Sequence, residues 1–249
     1  MKAAGRLGMT VLSLALLLLA WQVAAVLIAS RLLPGPGAVL DAMGRAAAQG
    51  ELQLNIAITL ARVAASFFIA MVLGAAIGIA LGRSRRLDAV FGPWLIVLLN
   101  LPALVVIILC YVWFGLTEAA AITAVSINKI PNVAITLREG AAALSRDLDE
   151  MAKAFRFGPV KTLRHVVLPQ LAPFFAAAAR SGLALTWKIV LVVELLGRSN
   201  GVGFELQNAF QLFDVAMVLA YALAFTAVVQ LIEIGVVQPW ERHANRWRR

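Results

Sequence analysis

Charged positions divide the chain into six apolar stretches. Met9–Ser30 lies uncharged between Arg6 and Arg31, and Val63–Gly82 lies between Arg62 and Arg83. Ala89–Thr117 is long enough for a span plus an exit loop. Ala119–Leu137 is interrupted by Lys129, Pro173–Leu196 carries Arg180, Lys188 and Glu194, and Val215–Ile232 lies between Asp214 and Glu233. A helix rises about 1.5 Å per residue, so roughly 20 residues cross a bilayer core of ~30 Å. The pattern predicts an all-α polytopic protein of about six transmembrane helices, in a single domain over residues 1–249. The first apolar run exceeds the 7–15 residues of a signal peptide, which reads as a retained helix.

Composition agrees. The 249 residues are 62% hydrophobic and 14% charged, against about 25% charged in soluble domains. The formal net charge of +9 has two readings, nucleic-acid binding or membrane orientation, and its distribution separates them. With both termini cytoplasmic, fifteen of the 22 basic residues fall in inside segments, four outside (Arg31, Arg45, Arg62 and Arg198) and three within spans. That is the positive-inside bias of a membrane protein, and no nucleic-acid partner is expected. Cys110 has no second cysteine to pair with, and His165 and His243 have no ligand-spaced companions, so no metal site is expected.

Three segments carry finer signals. Gly74, Gly78 and Gly82, extended backward by Ala70 and Ser66, form a small-residue seam at intervals of four, which suits close packing within the subunit. Asp147 and Glu150 have the spacing of a capping box. From there Leu148, Met151, Ala152 and Phe155 make an apolar stripe, and Gly158-Pro159 closes the short helix. A second helix over Val160–Val167 is expected, with Leu168-Pro169 turning the chain into the fifth span. Such a helix between spans can lie on headgroups or dock into a partner's groove.

Ionisable and amide groups inside spans are the remaining candidates. Lys188 and Glu194 stand six apart, so they cannot share one helix face. Glu194 suits a structural hydrogen-bonding role. Lys188 suits either attraction of an anion into a water-filled pathway or a structural ion pair. Asn100, Asn128, Lys129 and Trp187 are further pathway candidates, with Trp187 also suited to core packing. Pro102 and Pro131 are expected to break their helices locally.

The loop over residues 138–172 resembles the signature cytoplasmic loop of permease subunits in binding-protein-dependent ABC importers. That pattern runs Glu-Ala-Ala, three residues, Gly, nine residues, Ile, one residue, Leu-Pro. Glu150, Met151 and Ala152 take the first three places, Val166 the Ile place, and Leu168-Pro169 the end. Met151 replaces an Ala, and Arg156 stands where Gly is expected, with Gly158 two residues later. Arg164–Pro169, Val193–Gly197 and Gly201–Phe204 resemble the sulfonate/taurine/nitrate-type subfamily. The resemblance implies a type I importer permease with core helices over about 57–237. It further implies a coupling helix docked on an ATP-binding subunit, a soluble periplasmic receptor, a permease homodimer and a bacterial inner membrane. The chain has no GxxxxGK[ST] phosphate loop, HExxH or GxSxG motif. No catalytic residue and no cofactor is therefore assigned to it, ATP and Mg being expected on the partner. The alternative is a self-contained channel or ion-coupled carrier using Lys188 and Glu194.

Overall fold

The computed structural model describes residues 2–239, and every regular element among them is helical. The basic C-terminal group Arg242, Arg246, Arg248 and Arg249, together with His243, lies outside the described residues. Among the described residues five single helices are long and apolar enough to cross a membrane, and a bent pair, taken as one span, makes six.

The first helix, α1 (Lys2–Ile28), leaves Leu12, Leu14, the run Leu16–Leu19 and Leu27 exposed. The Trp21 indole anchors it by donating to the carbonyl of Pro34 at 3.0 Å. After the turn at Pro34–Gly35, α2 (Pro36–Ala48) buries Val39 and Ala42 against Ala220. Gly50, in the left-handed conformation, starts α3 (Glu51–Arg83).

This third helix is 33 residues long, about 50 Å at 1.5 Å per residue. It therefore begins well before Val63, and Arg62 is an interior helical residue, 4% exposed, rather than part of an outer loop. Its small face packs against α6 (Glu118–Ala142). A Cβ at Gly74 would stand 2.7 Å from that of Val133, and one at Gly78 would meet Leu137 at 2.9 Å and overlap the carbonyl of Ala134. Gly82 lies as close to Arg138 and Ala141. Glycine at this spacing lets two backbones approach to contact.

Between these helices the third apolar stretch folds as α4 (Arg85–Asn100) and α5 (Ala103–Phe114), bent by 95° at Leu101-Pro102. Pro102 has no N–H to continue the ladder. The carbonyl of Leu98, which loses the proline donor, is reached by the N–H of Leu101 at 3.4 Å, and the Asn100 amide donates to the carbonyl of Ile96 at 2.7 Å. Pro131, by contrast, leaves α6 unbroken. A proline removes one hydrogen bond, to the carbonyl four residues back, and α3 contacts α6 on both sides of Pro131, at Ser126 and at Val133.

The connection to α9 (Leu168–Gly197) runs through α7 (Arg146–Ala154), α8 (Pro159–Thr162) and a π-helical turn over Leu163–Val167. Leu168-Pro169 does not turn the chain. In the π register the N–H of Leu168 reaches the carbonyl of Leu163, and helix continues from Pro159 to Gly197 over 39 residues. Finally α10 (Val202–Gln211) and α11 (Val215–Ile232) close on a core of Ile107, Tyr111, Val190, Val193, Tyr221 and Phe225.

Candidate functional site

The coupling segment is built locally. Ser145, not Asp147, caps α7, its hydroxyl accepting from the N–H of Leu148 at 3.5 Å. The Ser145 N–H in turn donates to Gln170 Oε1 at 3.0 Å, tying the start of α7 to the start of α9. Ser has the same capping chemistry as Asp, so the sequence offered two starts two residues apart.

The helix ends before Gly158. Arg156 adopts φ 51°, its N–H reaches the carbonyl of Lys153, and the N–H of Phe157 reaches that of Ala152 at 2.8 Å. This left-handed closure is the one glycine favours, which accounts for the Gly of the loop pattern at the position that Arg156 occupies here. Gly158 caps α8 at φ −68° with open space around it.

The apolar stripe divides. Leu148, Met151 and Phe155 are exposed, at 38, 37 and 72%, whereas Ala152 is 2% exposed. Ala152 lines a cavity of about 350 Å³ with Arg83, Lys153, Phe157, Pro159 and Thr162, so it seats the helix on its own chain. Glu150, Leu168 and Pro169 are exposed.

The polar candidates inside the spans do not converge. Lys188 is exposed on α9, and Asn128 is half-buried, its amide donating to Ala124 at 2.8 Å. Lys129 is 1% exposed, with Nζ donating to Asn132 Oδ1 at 2.7 Å. Trp187 is core, edge-on to Phe225 with ring centroids 6.0 Å apart.

Glu194 is fully buried in a charge cluster. Arg62 Nη1 lies 2.8 Å from Glu194 Oε1, and Arg62 Nε lies 2.6 Å from Glu118 Oε1. Arg62 also donates to the carbonyl and side-chain oxygens of Asn200. Thr59 Oγ1 and the N–H of Gly203 donate to Glu194 Oε2 at 2.9 and 2.8 Å. Arg198 pairs with Glu118 at 2.9 Å. Gly201, at φ 103°, donates to Asn55 Oδ1 at 2.7 Å, and a Cβ there would stand 2.5 Å from the Glu194 carboxyl carbon. The cluster fastens α3, α6, α9 and the turn into α10.

Sequence reasoning found Glu194 but missed Arg62, Glu118, Asn55 and Thr59. Arg62 was legible only as a boundary, because a charge at the edge of an apolar run looks like a loop residue. Next to the cluster, Asn55 Nδ2 donates to Glu205 Oε1 at 3.1 Å. Burial, then the charge of Glu51, pushes the Glu205 carboxyl above its ordinary 4.5, against hydrogen bonds from Asn55 and Asn208.

Known proteins share this plan. The family model described as "Binding-protein-dependent transport system inner membrane component" matches residues 70–237. The aliphatic sulfonates transport permease protein SsuC of Bacillus subtilis is 29% identical over 94% of this chain and 85% of its own length. The taurine transport system permease protein TauC of Escherichia coli is 27% identical over 94% and 88%. The bicarbonate transport system permease protein CmpB of Synechococcus elongatus is 28% identical over 73% and 66%. Among solved structures, the MetNI methionine ABC transporter in an inward-facing conformation superposes with a TM-score of 0.65 at 20% identity, over 76% of this chain and 93% of that one. An amino acid ABC transporter gives 0.61 at 18%, over 80% and 97%.

Proposed function

The chain belongs to the binding-protein-dependent transport system inner membrane components, and from that premise we propose that it carries a small anionic solute and is driven through α7. It is a multi-pass permease subunit of a bacterial inner-membrane ABC importer with the type I permease fold, and it is not an enzyme. Such a permease works with a separate ATP-binding subunit and a substrate-binding protein.

The coupling reading rests on one observation. A capped nine-residue helix between α6 and α9 leaves Leu148, Met151 and Phe155 uncovered, with Glu150 exposed beside them. Apolar side chains on a short helix outside the spans suit a protein groove. In this reading the partner binds ATP and Mg, and its motion enters through α7. The two termini face the cytoplasm, two copies of the chain enclose the pathway, and residues 1–249 act as one domain.

The solute class is supported by the names of the relatives, which transport sulfonates, taurine and bicarbonate. The pathway residues proposed are Asn128, Lys129 and Lys188.

Co-purification with the ATP-binding subunit tests the coupling helix. The wild-type permease retains the subunit, and Glu150→Lys loses it or loses uptake while the permease itself remains folded. Full uptake and full retention in Glu150→Lys refute the assignment. Binding assays on the cognate receptor test the solute class directly.

A further inference from the structure

α6 carries a polar edge through the membrane. Asn128, Asn132 and Thr136 recur at intervals of four, with Glu139 three residues further, all within about 80° of arc on a helix turning ~100° per residue. The first three are half-buried and Glu139 is exposed, so the rest of the chain leaves this edge open. Polar groups facing hydrocarbon are costly, which places the edge against water or a second protein surface.

Behind the edge lies Lys129. It is 1% exposed, and Gly182 of α9 is shaped around it, since a Cβ at 182 would overlap Lys129 Cε and Nζ. Among the described residues no carboxylate pairs with it, and the bond from its ammonium goes to Asn132 Oδ1. A buried charge kept for structure alone is normally paired, as Arg62 is in this same chain.

The choice of an amide has a chemical consequence. Lysine only donates, so it must take the carbonyl oxygen of Asn132, which fixes the amide's orientation and leaves its NH₂ turned away from the buried ammonium. Asn128 spends one of its two amide donors on Ala124, and Thr136 donates its single hydroxyl hydrogen to the carbonyl of Asn132. Of the three side chains, Asn132 is thus the one that keeps both amide donors with a cation directly behind them.

We propose that the Asn132 amide, held by Lys129, contacts the anionic head of the solute within the membrane. The inference rests on the anionic-solute reading above. Lys129 is the positioning residue, and it also supplies the local positive charge.

Asn132→Asp separates this role from a structural one. The aspartate keeps an oxygen for Lys129 and adds an opposite charge, so a structural site tolerates it; a donor site loses its NH₂ and gains repulsion. The complete transporter, with its ATP-binding subunit and receptor, is reconstituted in liposomes, and maximal uptake of labelled ethanesulfonate, nitrate and bicarbonate is measured at saturating receptor. The expected result is normal assembly of Asn132→Asp, melting at or above wild type, and maximal uptake lowered about tenfold or more, as for a lost hydrogen bond to a charged group. Lys129→Met is expected to lower uptake in the same direction. Wild-type maximal uptake in either variant overturns the proposal and leaves the anionic-solute reading standing. Uptake of none of the three probes by the wild type overturns that reading and this inference with it.

Discussion

The two ends of the helical bundle are built on opposite plans. At one end Arg62, Glu118, Glu194 and Asn200 join three helices and a turn through ion pairs and hydrogen bonds of 2.6–2.9 Å, with Arg62 and Glu194 buried at the centre and Glu118 exposed at the rim. At the other end α7 sits on the body through Ala152 and the Ser145–Gln170 bond, with three large apolar side chains uncovered. Buried charge networks fix one arrangement because every partner left alone is costly. A short helix with few internal contacts opens at low free energy. One end holds a fixed geometry, while the other is shaped to be held by something else.

The contrast can be broken most forcefully at Arg62. Arg62→Met leaves Glu194 buried without a cation, and losing one partner of a buried pair costs about 3–5 kcal/mol. Thermal melting of the purified permease in detergent is expected to fall steeply, with poor expression. Arg62→Lys is expected to rescue only in part, since an ammonium cannot reproduce the guanidinium fork toward Glu118, Glu194 and Asn200.

Gly78→Leu attacks the α3–α6 contact between the two ends. Overpacking typically costs about 1–3 kcal/mol, and a branched side chain against the α6 backbone belongs at or above the upper end. Loss of folded, monodisperse protein is the readout. Glu150→Lys acts at the opposite end, on the exposed face of α7. An exposed substitution of this kind changes stability by less than about 0.5 kcal/mol, so its melting curve should match wild type while coupling is lost.

The smallest effect concerns pH. Because the folded state raises the Glu205 carboxyl, folding favours its protonated form. That contribution is complete below the ordinary value of 4.5 and fades as pH rises through the raised one. Hydrogen exchange of α10, corrected for intrinsic rates, should therefore show slightly stronger protection at mildly acidic pH than at neutral pH. Glu205→Gln should flatten the dependence.

What the sequence disclosed followed from periodicity. The apolar runs located the spans, and the spacing of Gly74, Gly78 and Gly82 marked a close contact, because both signals are carried by neighbours on one helix. What it concealed were distant partners. Arg62 and Glu194 are separated by 132 positions, and nothing in local spacing relates them. Register at helix ends was also hidden. Ser145 and Asp147 are equally able caps, and the closure at Arg156 uses a backbone conformation that its side chain does not advertise. The split of the α7 stripe required knowing that Ala152 meets the body of the protein.

The uninterrupted helix from Pro159 to Gly197 has a mechanical reading. Its far end is pinned at Glu194, and its near end adjoins the segment proposed to be driven. At about 1.5 Å per residue, Pro159 stands roughly 52 Å from that pivot and Gly182 roughly 18 Å. A rod so held is a reducing lever of ratio about three. A sideways stroke of ~5 Å at Pro159 arrives beside Lys129 as less than about 2 Å, which is the scale on which a hydrogen bond is made or lost.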